Sequence, residues 1–139
     1  MKDKNILQWF ATVRSRPVPK FIVGLRGTGK TEALKAINAQ LQKEGVPEAQ
    51  RLFIDSSDLE IRRIATGQVL LEHLYQSIPG KRKTHILIRE AALLPDAAVV
   101  IGALAADRNL NLVATTSSLR LLNRGLTDYL GRNFELCEL

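Results

Sequence analysis

Short apolar runs alternate along the chain with longer stretches in which apolar residues recur at helical spacing. The runs end at glycine or at clusters of polar residues, as buried strands do. Five segments have this character: Phe21–Val23, Leu52–Ile54, Ile86–Ile88, Leu110–Ala114 and the alternating Phe134–Leu139. Because strands that alternate with helices build parallel sheets covered on both faces, the pattern predicts an α/β fold. We expect a three-layer α/β/α sandwich around a mainly parallel five-stranded sheet.

The helical stretches carry start and stop residues. Pro17 and Pro19 end the first, Thr66 is a candidate cap for the third, and Pro95 with Asp96 opens the fourth. The predicted helices are Ile6–Val13, residues 31–44, a segment through Val69–Ile78, one carrying Val99–Ala105, and one through Leu121–Leu126 that ends at Gly131. No tract between them is long enough to separate two domains, so we expect a single domain over residues 1–139.

Composition indicates a folded intracellular protein. The 139 residues are 45% apolar and 24% charged, which suits one hydrophobic core. No stretch approaches the roughly 20 apolar residues of a membrane span, and the start Met1–Lys4 lacks the features of a secretory leader. The single cysteine, Cys137, fits a reducing compartment and a buried structural role. We therefore expect a cytoplasmic protein without a membrane partner.

The charge balance favours anionic partners. The formal net charge is +6, which suits nucleic acid, a phosphorylated ligand or an acidic protein. Only 5% of the residues are aromatic, and this argues against a protein that binds single strands by stacking bases on several rings. Charge alone does not choose among the remaining partners, because many basic proteins bind no polyanion.

The most specific motif lies directly after the first predicted strand. Gly24–Thr31 matches G-x-x-x-x-G-K-[ST], the loop that wraps nucleotide phosphates. Its glycines let backbone N–H groups point at the phosphates, and the helix that follows directs the positive end of its dipole there. We expect Lys30 to reach the β- and γ-phosphates and the Thr31 hydroxyl to ligate Mg²⁺. The alternative is an ordinary glycine turn with a solvated Lys30.

Two further strand ends bear on the chemistry. Glu90 follows the third strand where a water-activating carboxylate is expected, whereas Arg89 occupies the position of a metal-supporting aspartate and would repel the metal. Thr115 ends the fourth strand and is placed to touch the γ-phosphate, while Ser117 and Ser118 better suit a helix cap. Arg132 is a candidate for contact with a phosphate, in this chain or in a neighbouring subunit. Each of these residues also fits an ordinary surface role.

On these motifs the chain resembles the prokaryotic AAA-type ATPases, whose loop reads G-x-R-x-x-G-K-[ST]. The matching pieces cover about residues 18–139: Gly24–Thr31, Arg51–Asp58, Ile86–Glu90, Val113–Ser118, Leu121–Leu122 and Gly131–Arg132. The resemblance implies a P-loop NTPase sandwich with ATP and Mg²⁺ as its ligands, Glu90 as the catalytic carboxylate and Thr115 as a γ-phosphate sensor. The residues expected to hold the nucleotide are Gly24, Arg26, Gly27, Thr28, Gly29, Lys30, Thr31 and Glu32, with Thr31 also on Mg²⁺.

The sequence departs from this family pattern in three respects. Arg89 replaces the aspartate of the Walker B strand, and Thr116 replaces the glycine of the sensor segment. The chain also ends before the winged-helix and later regions of the family, so we expect a domain that lacks them. We accordingly expect weak hydrolysis of the β–γ bond of ATP. Two alternatives stay open: an ATP-binding regulatory or interaction module without turnover, and a basic nucleic-acid-binding protein with a vestigial loop. A protein partner and an oligomer are compatible with each.

Overall fold

The computed structural model describes residues 3–80, 82–118, 120–121, 130–131 and 133–139 of the chain. All five predicted strands are present, each within one or two residues of its predicted bounds. They are β1 (Lys20–Val23), β2 (Arg51–Asp55), β3 (Thr84–Arg89), β4 (Leu110–Thr116) and β5 (Glu135–Glu138). The apolar runs therefore predicted the strands correctly.

Four of the predicted helices are confirmed, and a short additional helix, α3, is not indicated by the sequence pattern. The helices are α1 (Asp3–Val13), α2 (Lys30–Lys43), α3 (Leu59–Arg62), α4 (Gly67–Ser77) and α5 (Ala97–Ala106). The predicted helix through Leu121–Leu126 lies largely outside the described residues. At the start of α4 the Thr66 hydroxyl accepts a hydrogen bond from the backbone N–H of Val69 at 3.2 Å, which confirms the predicted cap.

The strands form one five-stranded sheet in the order β2-β3-β4-β1-β5. Every neighbouring pair is parallel, so the predicted parallel sheet is confirmed. Two pairings place residues that matter for the site: Val23 lies opposite Thr116, and Asp55 lies opposite Arg89. Because parallel strands share one carboxyl edge, the segments that follow β1, β2, β3 and β4 meet at the same end of the sheet.

Alternate residues of the strands feed two separate hydrophobic cores, one on each face of the sheet. Phe21 and Val23 of β1 pack into the core beneath α4 and α5, whereas Ile22 between them packs into the core beneath α1 and α2. The same alternation holds in β3, where Ile86 and Ile88 face one core and Leu87 the other. Helices on both faces of a central sheet make the predicted three layers. Within the described ranges, no helix is both long and apolar enough to cross a bilayer.

Candidate functional site

The loop between β1 and α2 is built on glycines with left-handed backbone angles. Gly27 has φ 87° and Gly29 has φ 92°, a region that other residues rarely adopt. The Thr28 hydroxyl donates to the carbonyl oxygen of Leu25 at 2.7 Å and ties the loop to itself. A Cβ at Gly24 would overlap that hydroxyl and crowd Leu139, so a larger residue would have to displace the Thr28 side chain where the loop leaves β1. These contacts give the loop a fixed curvature that opens toward the carboxyl edge of the sheet.

Lys30 begins α2 and lies inside this curve. Its side chain is almost fully buried, at 8% exposure. The ammonium Nζ donates to the carbonyl oxygen of Leu25 at 3.0 Å and lies 3.9 Å from Oε1 of Glu90. Such a cation, held by the loop and facing a carboxylate, is placed where an anion bound by the loop would contact it.

Glu90 follows β3 in a left-handed conformation with φ 54°, which is unusual for a residue with a side chain. Its backbone N–H donates to the hydroxyl of Thr115 at 2.9 Å. Its carboxylate accepts hydrogen bonds from the Ser117 hydroxyl at 2.9 Å and from the Ser117 N–H at 3.3 Å. The end of β4 thus fixes both the backbone and the side chain of Glu90, and turns the carboxylate toward Lys30.

Arg89 makes a second cluster of contacts in the site. Its Nε donates to the hydroxyl of Thr31 at 3.1 Å, and its Nη1 donates to Oδ1 of Asp55 at 3.1 Å and to the Ser57 hydroxyl at 3.4 Å. Burial raises the pKa of Asp55, but hydrogen bonds from Ser57 and Arg89 outweigh it and hold that pKa below its usual value. Asp55 is therefore a carboxylate that neutralises the guanidinium.

The loop and the strand ends line one cleft of about 1040 Å³. The predicted site residues that line it are Arg26, Gly27, Gly29, Lys30, Thr31, Glu32 and Glu90. Gly24 and Thr28 shape the loop from behind, and Thr115 is 1% exposed with its hydroxyl on the backbone of Glu90. The prediction for Arg132 lies outside the described residues.

Sequence reasoning missed several residues of the cleft. Ser56, Ser57, Arg62 and Ser117 line it, although Ser117 was expected only to cap a helix. The Ser118 hydroxyl does accept from the N–H of Leu121 at 3.3 Å, as a cap would. The Ser56 hydroxyl is buried and has no hydrogen-bond partner within the described part of the chain. The polar run after β2 was the only sequence signal for Ser56 and Ser57.

The side chains around Thr31 do not fit a magnesium ion. The Thr31 hydroxyl and the Asp55 carboxylate both accept hydrogen bonds from the guanidinium of Arg89. A fixed positive charge therefore lies where the ion would have to approach the hydroxyl, and it would repel the ion. Within the described ranges, no three His, Cys, Asp or Glu side chains come together as a metal-ligand group.

A glycine loop joins a buried strand to a helix that starts with a buried lysine, on a parallel sheet of this order. These features define a P-loop nucleotide-binding domain. Residues 16–139 match the AAA domain family, and the chain belongs to this family. The match confirms the resemblance to AAA-type ATPases. A Haemophilus influenzae protein described as uncharacterised is 25% identical over 135 residues, which make up 96% of this chain and 34% of that protein. The chain thus spans about a third of the length of that relative.

Solved structures support the same fold. A chain in the structure of Drosophila ORC bound to AT-rich DNA and Cdc6 has a TM-score of 0.62 and 13% identity, over 98% of this chain and 54% of that one. A chain of the E. coli MS115-1 HORMA:CdnC:Trip13 complex has a TM-score of 0.56 and 16% identity, over 98% and 56%. Pif1 helicase from Candida albicans has a TM-score of 0.55 and 13% identity, over 99% and 39%. At these identities the likeness shows the fold alone.

Proposed function

We propose that this domain binds ATP in the cleft and slowly hydrolyses its β–γ phosphate bond. The observation that carries the proposal is the position of Lys30 between the glycine loop and the carboxylate of Glu90, with 3.9 Å between Nζ and Oε1. A triphosphate held by the loop would bring its γ-phosphate next to this pair. The ammonium would then contact a phosphate oxygen while the carboxylate faces the attacking water, as phosphoryl transfer to water requires.

In this proposal each group has a distinct task. The N–H groups of Gly27 and of residues 29–31 and the ammonium of Lys30 bind the phosphate oxygens, and Arg26 and Glu32 also line the cleft. Glu90 accepts a proton from a water molecule whose oxygen attacks the γ-phosphorus. The bond from that phosphorus to the β–γ bridging oxygen breaks, which leaves ADP and inorganic phosphate. Ser117 and Thr115 position Glu90 through the contacts described above, so Thr115 serves here through Glu90.

The second candidate function is an ATP-binding regulatory module with little or no turnover. The contact from Arg89 to Thr31 favours this regulatory module. The contact occupies the Thr31 hydroxyl, which would otherwise be available to the metal ion that usually assists hydrolysis. Either candidate function is compatible with a nucleic-acid or protein partner. The net charge of +6 suits a polyanion, and the similar ORC structure contains DNA. For either candidate we propose a cytoplasmic location, because a single cysteine suits a reducing compartment.

Phosphate release from ATP at steady state separates the two candidates. We expect slow release by the wild-type domain and a fall of roughly 10²–10⁴-fold in the Glu90→Gln variant, because the amide cannot accept the proton. The Glu72→Gln variant changes an exposed carboxylate of α4 and should match the wild type. ATP should still raise the melting temperature of Glu90→Gln. Wild-type release no faster than that of Glu90→Gln, with ATP binding intact, would support the regulatory module.

A further inference from the structure

We propose that Arg89 is a built-in cation which replaces Mg²⁺ in this cleft, so that the domain binds metal-free ATP. The inference rests on the proposed function, because it needs ATP in the loop Gly24–Thr31. It goes further in naming the form of the nucleotide that the site selects. It also assigns a binding role to a residue that the family pattern makes an aspartate.

The guanidinium of Arg89 lies beside the hydroxyl of Thr31. Thr31 follows Lys30 at the start of α2. In a P-loop the hydroxyl at this position is the ligand of the metal ion. Nε of Arg89 lies 3.1 Å from that hydroxyl oxygen. The positive charge of Arg89 is therefore beside the phosphate-binding loop, next to the hydroxyl that would otherwise be available to a metal ion.

Three side-chain contacts hold Arg89 in this place. Contacts with Thr31, Asp55 and Ser57 come from α2, from the end of β2 and from the segment after it. The parallel register puts Asp55 directly opposite Arg89, so the pairing of β2 with β3 fixes the two side chains together. A guanidinium with several donors can keep part of this network while other donors turn toward a phosphate.

The cleft has more basic than acidic side chains. Among the described residues that line it, four side chains are basic and two are acidic: Arg26, Lys30, Arg62 and Arg89, against Glu32 and Glu90. Asp55 pairs with Arg89 at 3.1 Å, and with it the balance is four basic against three acidic side chains, an excess of one positive charge. A net positive cleft attracts metal-free ATP, which carries about four negative charges, more strongly than its magnesium complex, which carries about two. An aspartate at position 89 would turn this excess into a net negative charge and would instead attract Mg²⁺.

The experiment measures the Kd of ATP by calorimetry, first in EDTA and then with an excess of Mg²⁺. For the wild-type domain we expect binding in EDTA that is as tight as binding with Mg²⁺, or tighter. The Arg89→Met variant keeps an unbranched side chain that fills the stem of the arginine and removes the guanidinium with its charge. We expect its metal-free binding to weaken by at least about tenfold, which is the loss of one charge-assisted contact, and Mg²⁺ to recover part of it. Arg63→Met, at an exposed arginine just after α3, is the matched control and should bind like the wild type.

Two outcomes would overturn the inference. One is wild-type binding that requires Mg²⁺, a measurement that needs no variant and so does not depend on how well Arg89→Met folds. The other is a folded Arg89→Met variant that binds metal-free ATP as tightly as the wild type does. Failure of the proposed function looks different: ATP would then bind neither in EDTA nor with Mg²⁺. ATP that binds only with Mg²⁺ leaves the proposed function intact and removes the role of Arg89.

Discussion

The two edges of the sheet use charge in opposite ways. At the carboxyl edge, Lys30 and Glu90 face an open cleft, and their contacts leave donors and acceptors that a ligand can use. At the amino edge, Lys20 is only 2% exposed, and its ammonium donates to the backbone carbonyl of Arg16. Nearby, both Nη atoms of Arg14 bind the carboxylate of Glu44 at 2.8 Å and join the ends of α1 and α2. Charge at the first edge is available to a ligand, whereas charge at the second is used within the fold.

Backbone geometry differs between the edges in the same sense. Among the described residues, Glu90 and Asp96 are the non-glycine residues with left-handed backbone angles. Both lie in the segment that follows the carboxyl end of β3. Such a conformation costs about 1–3 kcal/mol and persists only where neighbouring contacts enforce it. The contacts of Glu90 with Thr115 and Ser117 do so here. We therefore expect substitutions at the carboxyl edge to change ligand binding, and substitutions at the amino edge to change stability and its pH dependence.

The largest expected effect is the loss of ATP binding in Lys30→Ala. Removing the ammonium leaves the loop without its buried cation, so ATP should no longer raise the melting temperature. For the wild type, ATP at a hundred times its Kd should add about 2.7 kcal/mol to the free energy of unfolding. Thermal melts with and without ATP measure the difference.

The control for that variant is Lys35→Ala, at an exposed lysine on the same helix. It removes the same charge from α2 outside the cleft and should keep the full shift with ATP. An ATP-induced shift that survives in Lys30→Ala would show that the nucleotide binds elsewhere on the molecule.

A smaller effect, of opposite sign, is expected at the amino edge. Burial lowers the pKa of Lys20 to about 8, from 10.5, with Lys83 and Arg16 adding to the shift against the pull of Glu135. The unfolded chain therefore binds the proton more tightly, and near neutral pH the charged form opposes folding. Lys20→Met should raise the free energy of unfolding at pH 7 by about 1–3 kcal/mol, and leave ATP binding unchanged.

The pH dependence of that difference supplies the check. As pH rises from about 8 to 10.5, the folded protein loses the proton of Lys20 before the unfolded chain does, so the wild type gains stability relative to Lys20→Met. Urea melts of both proteins across this range should show the advantage of the variant shrinking. An advantage that stays constant with pH would mean that packing, and not the buried charge, is responsible.

The sequence predicted the framework of the molecule well for a physical reason. Strands such as Ile86–Ile88 are buried on both faces and so form continuous apolar runs, which are easy to recognise. The glycine loop is equally local, because its chemistry lies within consecutive residues. Periodicity is less informative in α5, where nearly every residue is apolar. There Val99 is 43% exposed whereas Ile101 is fully buried.

The contacts of the cleft were beyond sequence reasoning because they join distant elements. The sequence shows a cation at position 89. Its contacts with Asp55 and Ser57 depend on the register of β2 against β3, and its contact with Thr31 depends on how α2 packs on the sheet. The bond from Ser117 to Glu90 depends on the left-handed backbone at Glu90, which no local pattern announces. Both arrangements follow from tertiary structure alone.

The smallest expected effect concerns the ion pair of Arg14 and Glu44 at the amino edge. Hydrogen bonds from Arg14 and Gln40 lower the pKa of Glu44 from 4.5 to about 2. The stabilisation is thus complete above pH 4.5 and is lost as pH falls toward 2, because the unfolded chain takes up the proton first. The pair is partly exposed and screened by solvent, so Glu44→Gln should cost only about 0.5–1 kcal/mol at pH 7. Urea melts from pH 7 down to pH 3 should show the difference from the wild type shrinking, while a difference independent of pH would assign it to side-chain packing.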